Sequence, residues 1–379
     1  MSKWAGKYVI GLTGNIGTGK SVVRRMLEHM GALGIDADSF SHRAMAKGAP
    51  GYQPIVEMFG RWILGPDGEI DRSRLGRIVF SDPRALAHLE AIIHPIVLQA
   101  IDWMIQRSEK SFVVIEAIKL IEAGIHKDCD SIWTVYAPPE IQMSRLMQKR
   151  GMSEAEARQR IMAQAPQEKK VAAANVVIRN IGSFEDTWRQ VSAAWQKTVP
   201  AGIQAAPAAP QKKLAPGEVV VTRGKPRDSA RIAALISRVA NNGRTTASDI
   251  MAAFGDKAFL LMRVSDSDQL IGVAGWQVEN LVSRTTDIVI DPAFSPAQAL
   301  PGLIQEMERS SKDLQCEASL IFTSPELSID SLWKSLGYER RTPQTLGVAV
   351  WQEAAIETLK PGQALYFKQL RVDRVLRPI

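Results

Sequence analysis

The chain of 379 residues is predicted to be an α/β unit with a parallel sheet flanked by helices, followed by an α+β unit with a mostly antiparallel sheet. Three observations predict this. In the first half, short apolar runs rich in β-branched residues alternate with longer helix-periodic stretches, the rhythm of a sheet covered on both faces. In the second half several strands fall close together, joined by turn signals, with helices before and after them. Between the halves, "TVPAGIQAAPAAPQKKLAPGEVV" offers almost no bulky side chain to bury, and its prolines disfavour helix in the residue before each of them. A chain of this length exceeds one typical domain, so the expected organisation is a first domain at 1–199, a linker at 200–217 and a second domain at 218–379.

In chain order, "YVIGLT" lacks alternation and reads as a buried strand leading into the helix candidate "SVVRRMLEHMG". "GALGI" is short and apolar and can be a second strand, placing Asp36 and Asp38 just beyond it. "LAHLEAIIHPIVLQAIDWMIQRS" has helical periodicity, and "FVVIEAI" and "SIWTVYA" supply further strands. Beyond the linker, "EVVVTR", "KAFLLMRV", "LIGVAGWQV" and "TTDIVID" read as strands, with helices over Arg227 to Val239 and Ala297 to Ser311. No internal repeat links the halves.

Composition narrows the class. An apolar fraction of 45% and a charged fraction of 23% describe a globular protein, not a disordered or fibrous one. No uninterrupted apolar run reaches the roughly eighteen residues a membrane span needs, and the N-terminus lacks the apolar core of a secretory signal, so the expected place is the cytoplasm with no membrane partner. Cys129 and Cys316 are isolated and predict reduced thiols and no structural metal. The net charge of +7 suits anionic ligands, but the basic residues are dispersed and no aromatic stacking motif accompanies them. A specific nucleic-acid interface is not expected.

The chemistry begins at "GNIGTGKS". Gly14, Gly19, Lys20 and Ser21 fit GxxxxGK[ST], with Gly17 inside the loop, a strand before it and a helix after it, the context a P-loop requires. Gly14, Asn15, Ile16, Gly17, Thr18, Gly19, Lys20, Ser21 and Val22 are the expected phosphate-binding run. Glycines allow successive N–H groups to turn inward around phosphate oxygens, and the positive end of the following helix faces the same anion. Lys20 would contact the β- and γ-phosphates, while the Ser21 hydroxyl would help hold Mg²⁺. The motif does not name the acceptor, because kinases, GTPases and transport ATPases share it. At the carboxyl end of the second strand, Asp38 can accept a hydroxyl proton, order Mg²⁺ and water, or simply cap the next helix.

Taken in order, "IGLTGNIGTGKS", "IDADSFSHR", "GAPGYQPIVEMFG", "DGEIDRSRLGRIVFSDPRALAHLEAIIHP", "LIEAG", "YAPPEIQMSRLMQKRGMSEAEARQRIMAQAPQEKK" and "ANVVIRNIG" resemble dephospho-CoA kinase over about 8–199. The resemblance implies a P-loop kinase that transfers the γ-phosphoryl of ATP to the ribose 3′-hydroxyl of dephospho-CoA, the last step of CoA biosynthesis. It implies Asp38 as general base, with Lys20 and Arg145 as catalytic cations, Arg145 being the lid arginine in "QMSRLMQKR". Arg150 and Arg160 are further lid candidates or ordinary exposed charges. Asn180 is implied on the ATP side, and His94, Glu122 and Lys119 on the substrate side, the alternative for His94 and Pro95 being a helix-interrupting pair with an ordinary partly buried imidazole. Two departures stand out. "EAIKLIEAG" places Ile118 and Lys119 where the family reads close to Pro-Leu, and Lys119 can meet substrate phosphate or pair with Glu116 or Glu122. "ANVVIRN" has Asn175 and Arg179 where aspartates are usual, which alters the adenine side or a local ion pair.

From Gly217 onward, the order of strand, helices, three strands, helix, strand, helix, strand, with the turn in "LWKSLGYERR", resembles the GNAT N-acetyltransferase fold. Active members need a glycine-rich loop whose N–H groups reach the acetyl-CoA pyrophosphate. Here "IDPAFSPAQALPGLIQEM" puts Pro296 and Ala297 to Leu300 at that place and Gly302 too late, and Leu332 and Trp333 stand where a tyrosine acid is frequent. The second domain therefore reads as a non-catalytic GNAT-like module. ATP and dephospho-CoA are the expected small-molecule partners, a homo-oligomer is permitted, and the alternative is a nucleotide- and CoA-binding regulatory protein whose second domain senses CoA or retains weak acetyltransferase activity.

Overall fold

A computed structural model describes residues 3–79, 81–204, 219–239, 245–265 and 267–372. The first half runs β1 (Tyr8–Thr13), α1 (Lys20–His29), β2 (Leu33–Asp36), α2 (Ala37–Ala44), α3 (Tyr52–Phe59), α4 (Arg72–Val79), α5 (Pro83–Arg107) and β3 (Phe112–Glu116). It continues with β4 (Ser131–Tyr136), α6 (Pro139–Arg150), α7 (Glu154–Met162), α8 (Gln167–Ala172), β5 (Val176–Arg179) and α9 (Phe184–Thr198). Its strands form one five-stranded parallel sheet in the order β2-β3-β1-β4-β5. Two apolar layers cover it. Val9, Ile35, Val113 and Ile115 face the cluster built with α2 and α5, while Ile10, Leu12, Val114 and Trp133 face α1 and α9. That two-sided burial is why these strands read as unbroken apolar runs.

Local chemistry sets the helix starts. Asp82 caps α5 by accepting from Arg84 N, with Pro83 in the first turn, where its missing N–H costs nothing. Capping boxes at Ser153/Glu156 and Ser183/Asp186 begin α7 and α9. Helix α5 passes through Pro95 without ending, so the His94–Pro95 pair does not interrupt it. By length and composition α5 could cross a membrane, yet Ile93, Val97, Ala100, Ile101 and Met104 are spent on the core beneath β3.

The second half contains β6 (Val219–Arg223), α11 (Ser229–Val239), α12 (Ala247–Ala253), β7 (Ala258–Val264), β8 (Leu270–Glu279), β9 (Val282–Ile290) and α13 (Pro296–Asp313), after a short α10 (Ala201–Gln204). It closes with β10 (Ala318–Thr323), α14 (Asp330–Ser335), β11 (Glu339–Arg341), α15 (Ala349–Thr358) and β12 (Ala364–Gln369). The seven strands lie in the order β11-β12-β10-β9-β8-β7-β6, antiparallel except for the β9/β10 pair. The α+β expectation holds, with one helix and one strand beyond the expected order, because β12 returns between β10 and the three-residue β11. Of the expected linker at 200–217, 201–204 form α10 and 205–217 lie outside the described residues.

Candidate active site

Parallel pairing brings the carboxyl ends of the strands to one edge. A single register row runs Asp36, Glu116, Leu12, Trp133 and Val176, so the loop after β1 emerges beside both carboxylates. Its glycines are demanded by space as well as by backbone. Gly14 and Gly19 have φ of 147° and 90°. A Cβ at Gly14 would lie 2.4 Å from Val135 O, and one at Gly19 would lie 2.1 Å from Asn180 Nδ2.

The loop is clamped from several directions. Thr18 Oγ1 donates to Asn15 O at 2.8 Å and Lys20 Nζ to the same oxygen at 3.3 Å. Asn15 Nδ2 donates to Ala165 O at 3.0 Å, and Ile16 N to Gln164 Oε1 at 2.8 Å. Val22 N closes the first turn of α1 onto Gly19 O at 3.1 Å. Asn180 Nδ2 donates to Thr18 O at 2.9 Å, and Arg145 reaches Thr18 O at 3.2 Å and Asn180 O at 3.0 Å. Arg145 and Asn180 thus sit on the phosphate loop itself, on the side of α6 and β5, and Arg145 lies there as a half-buried guanidinium.

On the other side stand the acids. Ser21 Oγ donates to Glu116 Oε1 at 3.0 Å, and Arg24 Nε to Glu116 Oε2 at 2.7 Å. Burial works to raise the Glu116 carboxyl, but Arg24, Lys20 and these hydrogen bonds outweigh it and hold it below its ordinary value. Asp36 is the weaker acid of the pair, raised first by burial and then by Glu116 against the pull of Arg24. Asp36 also caps α2, accepting from Ser39 N at 3.0 Å, so the capping role considered for Asp38 belongs to Asp36. Asp38 instead receives Ile118 N at 3.0 Å. Burial raises its carboxyl, opposed by Lys20 and by the Ile118 N–H.

Lys170, Glu116 and Arg24 are site residues that the motif reading left out. Lys170 is buried and donates to Ile118 O at 2.7 Å and to Asn15 Oδ1 at 3.1 Å, joining the phosphate loop to the peptide that holds Asp38. Burial lowers its ammonium group. The signal for Lys170 in the sequence was only its place in "QAPQEKK", one lysine of two. For Glu116 it was a lone acid closing an apolar strand.

A family model for dephospho-CoA kinase matches residues 8–186. A dephospho-CoA kinase of Geobacter metallireducens is 45% identical over 194 residues, which are 50% of this chain and 96% of the relative. The chain belongs to the dephospho-CoA kinase family. Among solved structures, a Thermus thermophilus protein is 34% identical with a TM-score of 0.46, covering 51% of this chain and 99% of its own. A GNAT-family acetyltransferase of Staphylococcus aureus aligns with 41% of this chain and 100% of its own at 11% identity and a TM-score of 0.32.

Within the dephospho-CoA kinase half, the remaining expected residues have the following surroundings. His94 is half-buried on α5, and Glu122 is exposed, 3.9 Å from Lys170. Lys119 pairs with Glu90 of α5 at 2.6 Å, and not with Glu116, which Arg24 occupies, or with Glu122, which faces Lys170. Arg150 and Arg160 are exposed at the ends of α6 and α7, apart from the arginine that clamps the loop. The two departures near β5 have local explanations. Asn175 Oδ1 accepts Ile132 N at 2.7 Å, and the Arg179 guanidinium stacks over Tyr136 at 5.4 Å. No group of three or more His, Cys, Asp or Glu side chains suited to a metal occurs among the described residues.

Proposed function

We propose that this protein phosphorylates the ribose 3′-hydroxyl of dephospho-CoA with ATP, giving CoA and ADP, in the cytoplasm. The observation that carries the proposal is the juxtaposition of a clamped phosphate loop with Asp38, a carboxylate that no cation among the described residues pairs directly and that the Ile118 N–H orients. The β- and γ-phosphates would lie in the cradle of Gly14 to Ser21 against the start of α1, where backbone donors and the helix dipole favour anions. Lys20 and Arg145 then offset the charge that spreads over the transferring phosphoryl oxygens. Asp38 accepts the proton of the attacking hydroxyl, a contribution of about 10²- to 10⁴-fold.

The donor set suits Mg²⁺. Ser21 Oγ and the Glu116 carboxylate are hard oxygen donors in mutual contact, and Mg²⁺ is usually held by one or two protein oxygens together with waters and substrate phosphates. When bound it would neutralise phosphate charge. Glu116 and Ser21 would hold it, and Arg24 would keep Glu116 ionised and oriented. On the acceptor side, His94, Lys119 and Glu122 would contact the CoA moiety.

We also divide the chain into a kinase domain at 1–199, a linker at 200–217 and a non-catalytic GNAT-like domain at 218–379. The support is the start of α13 at Pro296, with Gly302 inside the helix, and the fully buried Trp333, whose Nε1 donates to Leu327 O at 2.7 Å. The deciding assay is ADP release with and without dephospho-CoA. Release that dephospho-CoA does not stimulate ends the proposal, and an Asp38→Asn protein with unchanged kcat removes Asp38 as base.

A further inference from the structure

The two halves of the chain meet on the elements that carry the phosphoryl-transfer residues. Helix α2 holds Asp38 in its first turn and Arg43 in its last. The Arg43 guanidinium is buried against the second half, where it pairs with the Glu317 carboxylate just ahead of β10 and donates to Asn280 O at 2.9 Å. Asn280 and Leu281 form the turn between β8 and β9, with φ of 53° and 60°, the handedness that fits a two-residue hairpin. Leu281 belongs to the same apolar cluster as Ile35 of β2, Phe40 and Ala44 of α2 and Met104 of α5. A cavity of about 30 Å³ beside it is lined by Arg24, Asp36 and Ser39 from the first half and Glu279 and Asn280 from the second. Farther along α1, Arg25 Nη1 donates to Asp256 O at 2.8 Å, and the His29 ring stands edge-on to Phe254 at 5.6 Å.

We propose that the second half is a brace for the kinase site, and that Glu317 is a positioning residue that sets, through Arg43, where α2 presents Asp38. The inference rests on the reading of Asp38 as the acceptor-side base. Helix α2 has eight residues, too few to be stable alone in water, so its placement comes from what it packs against. Asp38 and Arg43 lie little more than one turn apart on it, and a shift at Arg43 is passed to Asp38 nearly undiminished. Misplacing a catalytic group by about 1 Å can cost on the order of 10²-fold in rate. The Glu317 carboxylate lies in the second half and reaches α2 through its pair with Arg43.

The test uses the full chain, measuring kcat and KM for both substrates in dephospho-CoA-dependent ADP release, alongside thermal unfolding. Glu317→Gln strands a buried guanidinium, so the decisive protein is the double variant Arg43→Met with Glu317→Met, in which both charges are gone and stability can be retained. We expect the double variant to remain folded with a KM for ATP within about twofold of wild type, and kcat to fall on the order of tenfold or more. A folded double variant with wild-type kcat overturns the brace. A loss of activity that tracks only the unfolded fraction also overturns it, since the pair is then merely structural. If the wild-type chain releases no ADP in response to dephospho-CoA, the kinase reading fails instead, which is a different result.

Discussion

Replacing Glu116 with glutamine keeps the shape of the side chain and removes one charge from the carboxyl edge of the parallel sheet. In the native protein its two oxygens take Ser21 Oγ at 3.0 Å and Arg24 Nε at 2.7 Å, with both Arg24 and Glu116 buried. Breaking a buried pair by removing one partner costs about 3–5 kcal/mol. Arg24 retains Glu28 as a partner, so the lower end, about 3 kcal/mol, is expected. At about 2–4 °C per kcal/mol for a domain of this size, Tm should fall by roughly 6–12 °C. The pH dependence adds an independent signature. Asp36, opposite Glu116 in the register, is pushed up to about 6 from 3.8, first by burial and then by Glu116. A raised carboxyl contributes stability that is fully present below 3.8 and lost as pH rises through about 6. With Glu116 neutral that loss should shrink. Urea unfolding of the full chain at several pH values reads both effects. A stability change under about 0.5 kcal/mol with an unaltered pH slope would refute the buried network as drawn.

Three further outcomes follow from the same geometry. Gly19→Ala forces a Cβ to within 2.1 Å of Asn180 Nδ2 at a φ of 90°, so the KM for ATP should rise at least about tenfold, the equivalent of one lost buried hydrogen bond; an unchanged KM would mean the loop can move aside. Lys170→Met removes the links to Asn15 and Ile118 and should lower kcat on the order of tenfold, with partial recovery in Lys170→Arg; a loss confined to Tm would show a packing role only. His29 is pushed down to about 3 by burial, then by Arg223 and Arg25, so the neutral ring is the native one. Stability present above pH 6.5 should then be lost as pH falls toward about 3, at most about 1.4 kcal/mol per pH unit, and His29→Phe should flatten that acid limb in unfolding experiments.

The phosphate loop was legible in the sequence because its requirements are local. Successive inward N–H groups need glycine at Gly14, Gly17 and Gly19, and the cation and hydroxyl must follow at once, so spacing along the chain is nearly the geometry. Asp38 was legible as a candidate for a related reason, since it follows a strand whose carboxyl end must face the ligand. Its role against that of Asp36 was not, because both acids lie within one helical turn and only the backbone settles which of them caps α2. Glu116, Arg24 and Lys170 escaped because each is defined by a partner far away in the chain. Glu116 meets Ser21 and Arg24 only through parallel pairing of β1 with β3, and Lys170 reaches Asn15 only after α8 folds over the loop. Lys119 shows the same limit, its partner being Glu90 on α5.

Periodicity along the chain was therefore enough to establish a parallel α/β half and an α+β half, since strand burial on one or both faces imprints itself on neighbouring residues. What the second half does to the first could not be read that way. Arg43 and Glu317 are ordinary charges in sequence, separated by most of the chain, and the contact that buries them depends on a hairpin turn at Asn280 and Leu281 reaching the back of β2 and α2. Side-chain spacing encodes elements and short loops, whereas an interface between distant elements exists only once both are folded and their surfaces are brought together.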